Sequence, residues 1–219
     1  VLKRGSLSNF LASYGEGFEG GKKVKEFEKK WSKYFKVKHS ITVNSWTSGL
    51  IAAMGALNLS PGDEVIVSPW TMSASAMAIL HVNAVPVFAD VKKDTFCIDP
   101  DSVIKNITKK TRAIMTVDIF GQSSDVDSLI KIAKKYNLKI ISDTAQAPGA
   151  KVGNKFAGTL TDIGGFSLNY HKHIHTGEGG VIVTNDDELA IRMKLLRNHG
   201  EAAVSELNKP KLNKIVGYN

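Results

Sequence analysis

Lys172 lies between His171 and His173, five residues before the turn Gly177-Glu178-Gly179-Gly180, and the apolar run Val181-Ile182-Val183 follows at once. An amine in a glycine-bounded loop between apolar segments is expected to be used, because lysine is rarely buried without a partner. Desolvation lowers its pKa and frees it as a nucleophile or base. A Schiff base with a carbonyl compound is the leading use of such a lysine. Asp143 is the second candidate. It ends the run Lys139-Ile140-Ile141-Ser142, and an unpaired carboxylate there would be costly, so a donor or cation must meet it. The third is Asn44-Ser45-Trp46-Thr47-Ser48-Gly49, which follows Ile41-Thr42-Val43 and opens an alanine-rich stretch. Free backbone N–H groups and the helix dipole make such a turn an anion site, with the Thr47 and Ser48 hydroxyls as further donors. The same residues also satisfy a plain helix N-cap. His171, His173 and His175 alternate and would share one face of an extended segment, as metal ligands can. No Cys or carboxylate completes a set, and Lys172 claims the same space, so they read as loop histidines near a substrate.

The elements that must position these groups follow from periodicity. Residues 22–36 read as a helix, with Val24, Phe27, Trp31, Tyr34 and Phe35 on one face. Helices are also expected at 47–58, 73–82, about 126–136 (Val126, Leu129, Ile130 and Ala133 inward) and 187–197. Strands are expected at 41–43, 64–67, 85–88, 113–117, 139–142 and 181–183, and Pro61-Gly62-Asp63 reads as a turn. Strands separated by helices imply parallel pairing with right-handed crossovers, and short apolar strands imply a sheet covered on both faces. The fold class is therefore α/β, three-layer αβα, with a mostly parallel sheet. Ligands of such sheets bind beyond the carboxyl ends of the strands, where these candidates lie.

The 219 residues suffice for one domain with a sizeable core. Hydrophobic content of 42% and charged content of 23% are ordinary for a globular chain. No apolar run approaches the roughly 20 residues that span a bilayer, so no membrane partner is expected. The one cysteine, Cys97, excludes an internal disulfide framework and fits a reducing, cytoplasmic setting. A formal charge of +8 admits nucleic acid, but the lysines are spread over several helix faces, so the charge reads as attraction for an anionic small molecule.

Phe166-Ser167 followed by Lys172 and Gly177-Glu178-Gly179-Gly180, together with the upstream Asp143-Thr144-Ala145-Gln146, resembles the DegT/DnrJ/EryC1/StrS family of sugar aminotransferases. The resemblance runs from about Leu7 to Asn219. It implies a pyridoxal 5'-phosphate (PLP) transferase of fold type I, here its large domain. On that resemblance Lys172 carries the Schiff base, Asp143 meets the pyridine nitrogen, and Gln146 lies beside the ring hydroxyl. Thr47, Ser48, the Trp46 backbone and Ser167 meet the phosphate, and Met72 occupies the ring-stacking position. Asn219, in Gly217-Tyr218-Asn219, reaches the phosphate of a neighbouring subunit, which implies a homodimer. Asp118, Phe120 and Gln122 follow the strand at 113–117 and are expected, from that place, to line the substrate side, and Glu178 either braces the turn or meets the sugar. Two positions depart from the family: it usually has a small residue where Trp46 stands and an aromatic one where Met72 stands. Trp70 is two positions away and cannot replace that aromatic on an unchanged backbone.

The resemblance implies transamination of a nucleotide-linked keto sugar, with glutamate as donor. A PLP-dependent sugar dehydratase, with histidine in place of the lysine, and a non-catalytic PLP-binding regulator are the alternatives. Residues 1–21 read as an N-terminal arm and 22–219 as the PLP-binding large domain. The chain is expected to be a fragment whose C-terminal small domain is absent.

Overall fold

The computed structural model describes residues 3, 9–13, 15 and 17–207. Asn219, expected at the cofactor phosphate, lies outside them. In chain order the elements are α1 (Lys22–Phe35), β1 (His39–Val43), α2 (Trp46–Ala56), β2 (Glu64–Val67), α3 (Ser73–His81), β3 (Val85–Phe88), α4 (Pro100–Asn106), β4 (Thr111–Val117) and α5 (Val126–Tyr136). Then follow β5 (Lys139–Asp143), the short hairpin strands β6 (Lys151–Val152) and β7 (Lys155–Phe156), β8 (Ile163–Ser167), β9 (Gly180–Thr184), α6 (Asp187–Arg197) and α7 (Gly200–Leu207).

Seven strands form one sheet in the order β1-β9-β8-β5-β4-β2-β3. The pairs from β8 through β5, β4 and β2 to β3 are parallel. β9 is antiparallel to both its neighbours. Every other strand of the sheet therefore runs one way, and one edge gathers the carboxyl ends of β1, β2, β4, β5 and β8 with the amino end of β9. Val43 and Ser167 both pair with Gly180 there.

Side chains leave the sheet alternately, which builds its three layers. Ile41, Val65, Val67, Met115, Ile141, Ile163 and Ile182 pack under α2, α3 and α6. Ile66, Ile114 and Ile140 face α4 and α5 on the other side. Phe166, Val181 and Val183 meet Trp31 and Phe35 of α1 on that second side. Each such side chain stabilises the fold by about 1.5–3 kcal/mol on full burial. α2 is buried on most sides, at Trp46, Gly49, Leu50, Ala52, Ala53, Met54 and Ala56, so its alanine-rich composition is what close packing between other helices and the sheet requires.

Several expectations change in detail. Tyr34 is exposed and stacks on Phe156, with ring centroids 5.4 Å apart, so it does not enter the α1 core face. On α5, Ile132 is buried and Ile130 is at the margin. β3 is an edge strand with Val85 and Phe88 exposed, and Pro86 at its second position is compatible with an edge. It is therefore not covered on both faces.

Candidate active site

Asp143 is the last residue of β5 and is buried. Three donors meet it. Trp46 Nε1 donates to Oδ1 at 2.7 Å, Ser75 Oγ to Oδ2 at 2.7 Å, and the Ala145 N–H to Oδ1 at 3.2 Å. Thr71 Oγ1 lies 2.7 Å from Ser75 Oγ and continues the network. Burial pushes the Asp143 carboxyl above its ordinary range, and the three donors and the Lys172 charge oppose that rise. The carboxylate is thus held in one orientation by groups from α2, α3 and its own loop. Each charged hydrogen bond contributes about 1.5–3 kcal/mol.

The α2 N-terminus docks against the start of β9. A Cβ on Gly180 would lie 2.7 Å from the Trp46 nitrogen and 2.8 Å from its Cα, so only glycine permits this approach. Ser45 caps the helix, its hydroxyl accepting from the Ser48 N–H at 3.1 Å. The Gly49 N–H bonds Ser45 O, which leaves the N–H groups of Trp46 and Thr47 without a partner among the described residues. Both readings of this turn therefore coexist: Ser45 is the N-cap, and the first-turn donors remain available to an anion. Thr47 is exposed, and Ser48 is partly buried with its hydroxyl 3.0 Å from Ser45 Oγ. Asn44 and Ser48 also line a cleft of about 520 Å³ with Phe10 and Arg197, whose lining includes neither Asp143 nor Lys172.

Lys172 lies in the β8–β9 connection. It is half-buried rather than buried, and residues 173–178 are exposed, which corrects the expectation of an enclosed lysine. The connection is long enough to leave the sheet, and few apolar side chains cover it. Among the described residues Lys172 Nζ makes no hydrogen bond or ion pair, while its charge acts on Asp143. Glu178 accepts from Asn169 Nδ2 at 2.6 Å, and Thr176 Oγ1 donates to Glu178 O at 2.7 Å. Of the two roles expected for Glu178, bracing the turn is the one its contacts serve. Ser167 is buried at the end of β8, its hydroxyl accepting from the Asn169 N–H at 3.3 Å. His171, His173 and His175 are exposed. Among the described residues no three His, Cys, Asp or Glu side chains group as metal ligands do.

Gln146 Oε1 accepts from the Phe120 N–H at 2.9 Å, tying the Asp143 loop to the loop after β4. Phe120 is exposed and adopts a left-handed φ of 53°, unusual for a bulky residue. Asp118, expected on the substrate side, is instead buried and structural. Its oxygens accept from Ser124 N at 2.9 Å and Thr144 Oγ1 at 2.8 Å, and its own N–H bonds Asp143 O. Burial raises its carboxyl pKa against those bonds. Met72, at the N-cap of α3, is exposed, and the Trp70 ring lies 5.4 Å from that of Phe96. Ser75 and Thr71 were absent from the sequence candidates. The only local signal for Ser75 is a hydroxyl among the small residues of α3, which does not distinguish it from Ser73.

The edge therefore presents a buried carboxylate with acceptor capacity to spare, a half-buried amine and a helix N-terminus whose first N–H groups have no partner among the described residues. These groups fit PLP: Asp143 suits a ring N–H, Lys172 an aldehyde, and the α2 turn a phosphate. The fold and this arrangement define a PLP-dependent protein of fold type I. The profile of the DegT/DnrJ/EryC1/StrS aminotransferase family matches residues 9–219, and the chain belongs to that family. It is 42% identical over 199 residues to GDP-perosamine synthase of Caulobacter vibrioides, covering 91% of this chain and 53% of that protein. Among solved structures it is similar to the aminotransferase from Psychrobacter cryohalolentis, with a TM-score of 0.84 and 35% identity over 91% of this chain and 52% of that one. It is also similar to NtdA from Bacillus subtilis with bound cofactor PMP, at TM-score 0.82 and 33% identity, covering 100% of this chain and 46% of that one. The chain spans about half the length of the curated relatives it matches. Among the described residues no helix is long and apolar enough to cross a membrane.

Proposed function

We propose that the chain is the cofactor-binding part of an enzyme that transfers an amino group from glutamate to a nucleotide-linked keto sugar. The observation that carries this reading is that one sheet edge holds both an Asp143 carboxylate fixed by Trp46 and Ser75 and a Lys172 amine whose charge acts on it. Bound there, PLP supplies an aldehyde for covalent capture and a ring that takes up the electron pair left when a Cα–H bond breaks. Asp143 would accept from the ring N–H and so keep that nitrogen protonated. Lys172 would supply the amine that captures the aldehyde and, when free, would carry a proton at Nζ. General acid–base help of this kind contributes about 10²–10⁴-fold. Thr47, Ser48, the Trp46 N–H and Ser167 would hold the phosphate, Gln146 would meet the ring hydroxyl, and Met72 would offer its sulfur to the ring.

The match of Gly217-Tyr218-Asn219 to the family motif supports a homodimer as the working assembly. The reaction belongs in the cytoplasm, where a Cys97 thiol stays reduced. Support comes from the family and from relatives named GDP-perosamine synthase and L-glutamine:2-deoxy-scyllo-inosose aminotransferase. The test is to add glutamate to the PLP-loaded full-length protein and follow formation of pyridoxamine phosphate, then to screen keto-sugar nucleotides as acceptors. No pyridoxamine phosphate with glutamate or any other amino donor would refute the aminotransferase reading.

A further inference from the structure

The Trp46 indole has an unusual setting. It is buried at the first position of α2, and two glycines on different elements leave room for it. A Cβ on Gly49 would lie 2.6 Å from Trp46 Cε3, and a Cβ on Gly165 of β8 would lie 2.0 Å from both Cζ3 and Cη2. Either contact is far inside van der Waals separation, so alanine at Gly165 and this indole exclude each other without rearrangement. The slot directs the ring so that Nε1 reaches Asp143 Oδ1 at 2.7 Å across 97 positions of sequence.

The consequence is directional. An ionised carboxylate offers about four acceptor sites. Trp46 and the Ala145 N–H take the two on Oδ1, and Ser75 takes one on Oδ2. One site is left. We propose that Trp46 is a positioning residue: with Ser75 and Ala145 it occupies all but one acceptor site of Asp143 and so selects the one direction from which a ring N–H is received. This rests on the PLP reading given above. Trp46 acts through Asp143, and the paired glycines serve the indole.

The experiment uses Trp46→Phe, which keeps a flat ring in the slot and removes the N–H, in the wild-type and Asp143→Ala backgrounds. PLP affinity is measured by titrating the apo protein, and the Asp143 carboxyl is titrated by carbon-13 NMR in the apo protein. Loss of one hydrogen bond to a charged acceptor predicts PLP binding weaker by about tenfold or more, an upward move of the Asp143 titration, and a changed pH dependence of the visible band of the loaded protein. In the Asp143→Ala background the same substitution is expected to have little further effect, because residues acting as one unit are not additive. Equal losses in both backgrounds, or an unmoved Asp143 titration in a folded Trp46→Phe protein, would overturn the proposal. Gly165→Ala is the second variant. It is expected to displace the indole and reproduce the Trp46→Phe shift of Asp143, and a shift absent from the folded variant would also count against the proposal. If the wild-type protein bound no PLP, the PLP reading would fail, and with it this role for Trp46. The apo titration would still show whether the indole governs the carboxylate.

Discussion

The two halves of the site are built in opposite ways. Asp143 is 5% exposed, sits at the end of a central strand and is held by donors from three segments. Lys172 is half-exposed, sits in a loop whose polar contacts are local, and has no polar partner for Nζ among the described residues. The carboxylate is held by built-in donors, whereas the amine has no polar partner among the described residues. This division suits a group that must hold one proton in place and another that must form a bond, release it and carry a proton. Orientation at Asp143 is set by the fold, while Lys172 Nζ is left without a polar partner among the described residues.

The largest expected effect is at the lysine half. Lys172→Ala is expected to slow the glutamate half-reaction by about 10⁴-fold or more, since covalent capture and proton transfer are lost together. Single-turnover absorbance reads this, and a rate within tenfold of wild type would break the comparison. At the fixed half, Asp143→Ala is expected to slow the same step by about 10²–10³-fold, the scale of removing one preorganised electrostatic contact. It is expected to leave a borohydride-reducible link to PLP intact. If both variants lost the link, the two halves would not be separable.

A smaller effect concerns pH and the apo protein. The folded carboxyl of Asp143 titrates above its ordinary value of 3.8. Its favourable contribution is therefore complete below 3.8 and is lost as pH rises through the folded value. Asp143→Asn removes this loss while keeping an acceptor for Trp46. The stability of wild type relative to the Asn variant, measured by urea unfolding, should fall as pH rises from below 3.8 to neutrality. A flat difference would mean that Asp143 carries no strain of burial. The smallest effect is on the exposed loop. Asn169→Ala removes the side-chain bond to Glu178 and should alter stability by no more than about 0.5 kcal/mol, with any change confined to turnover. A large loss would show that the loop is as rigid as the Asp143 network.

The same contrast explains what the sequence made legible. The Lys172 loop could be read because its residues are consecutive and carry a family pattern. The end of β5 could be read because an acid closes an apolar run. The partners of Asp143 could not, since Trp46 and Ser75 lie 97 and 68 positions away, and only the strand order brings α2, α3 and β5 together. The reversal of β9 was also hidden, because an apolar strand looks the same in either direction. β8 escaped delineation because Gly164 and Gly165 lack the β-branched character that marks a strand. The signal for α4 was present in Asp99-Pro100, an N-cap followed by proline at the first helical position, but it lies in a short helix of only 7 residues. Asp118 was misread for a related reason: an acid after a strand end looks alike whether it faces a ligand or bonds its own loop.

The central claim is that Lys172 is the residue that captures PLP beside a prefixed Asp143. Borohydride reduction of the PLP-loaded protein, followed by peptide mapping by mass spectrometry, tests it most directly. The pyridoxyl label should fall on Lys172, and Lys172→Ala should carry none. A label on Lys151 or Lys155, which follow the Asp143 loop, or a label that survives in Lys172→Ala, would contradict the account.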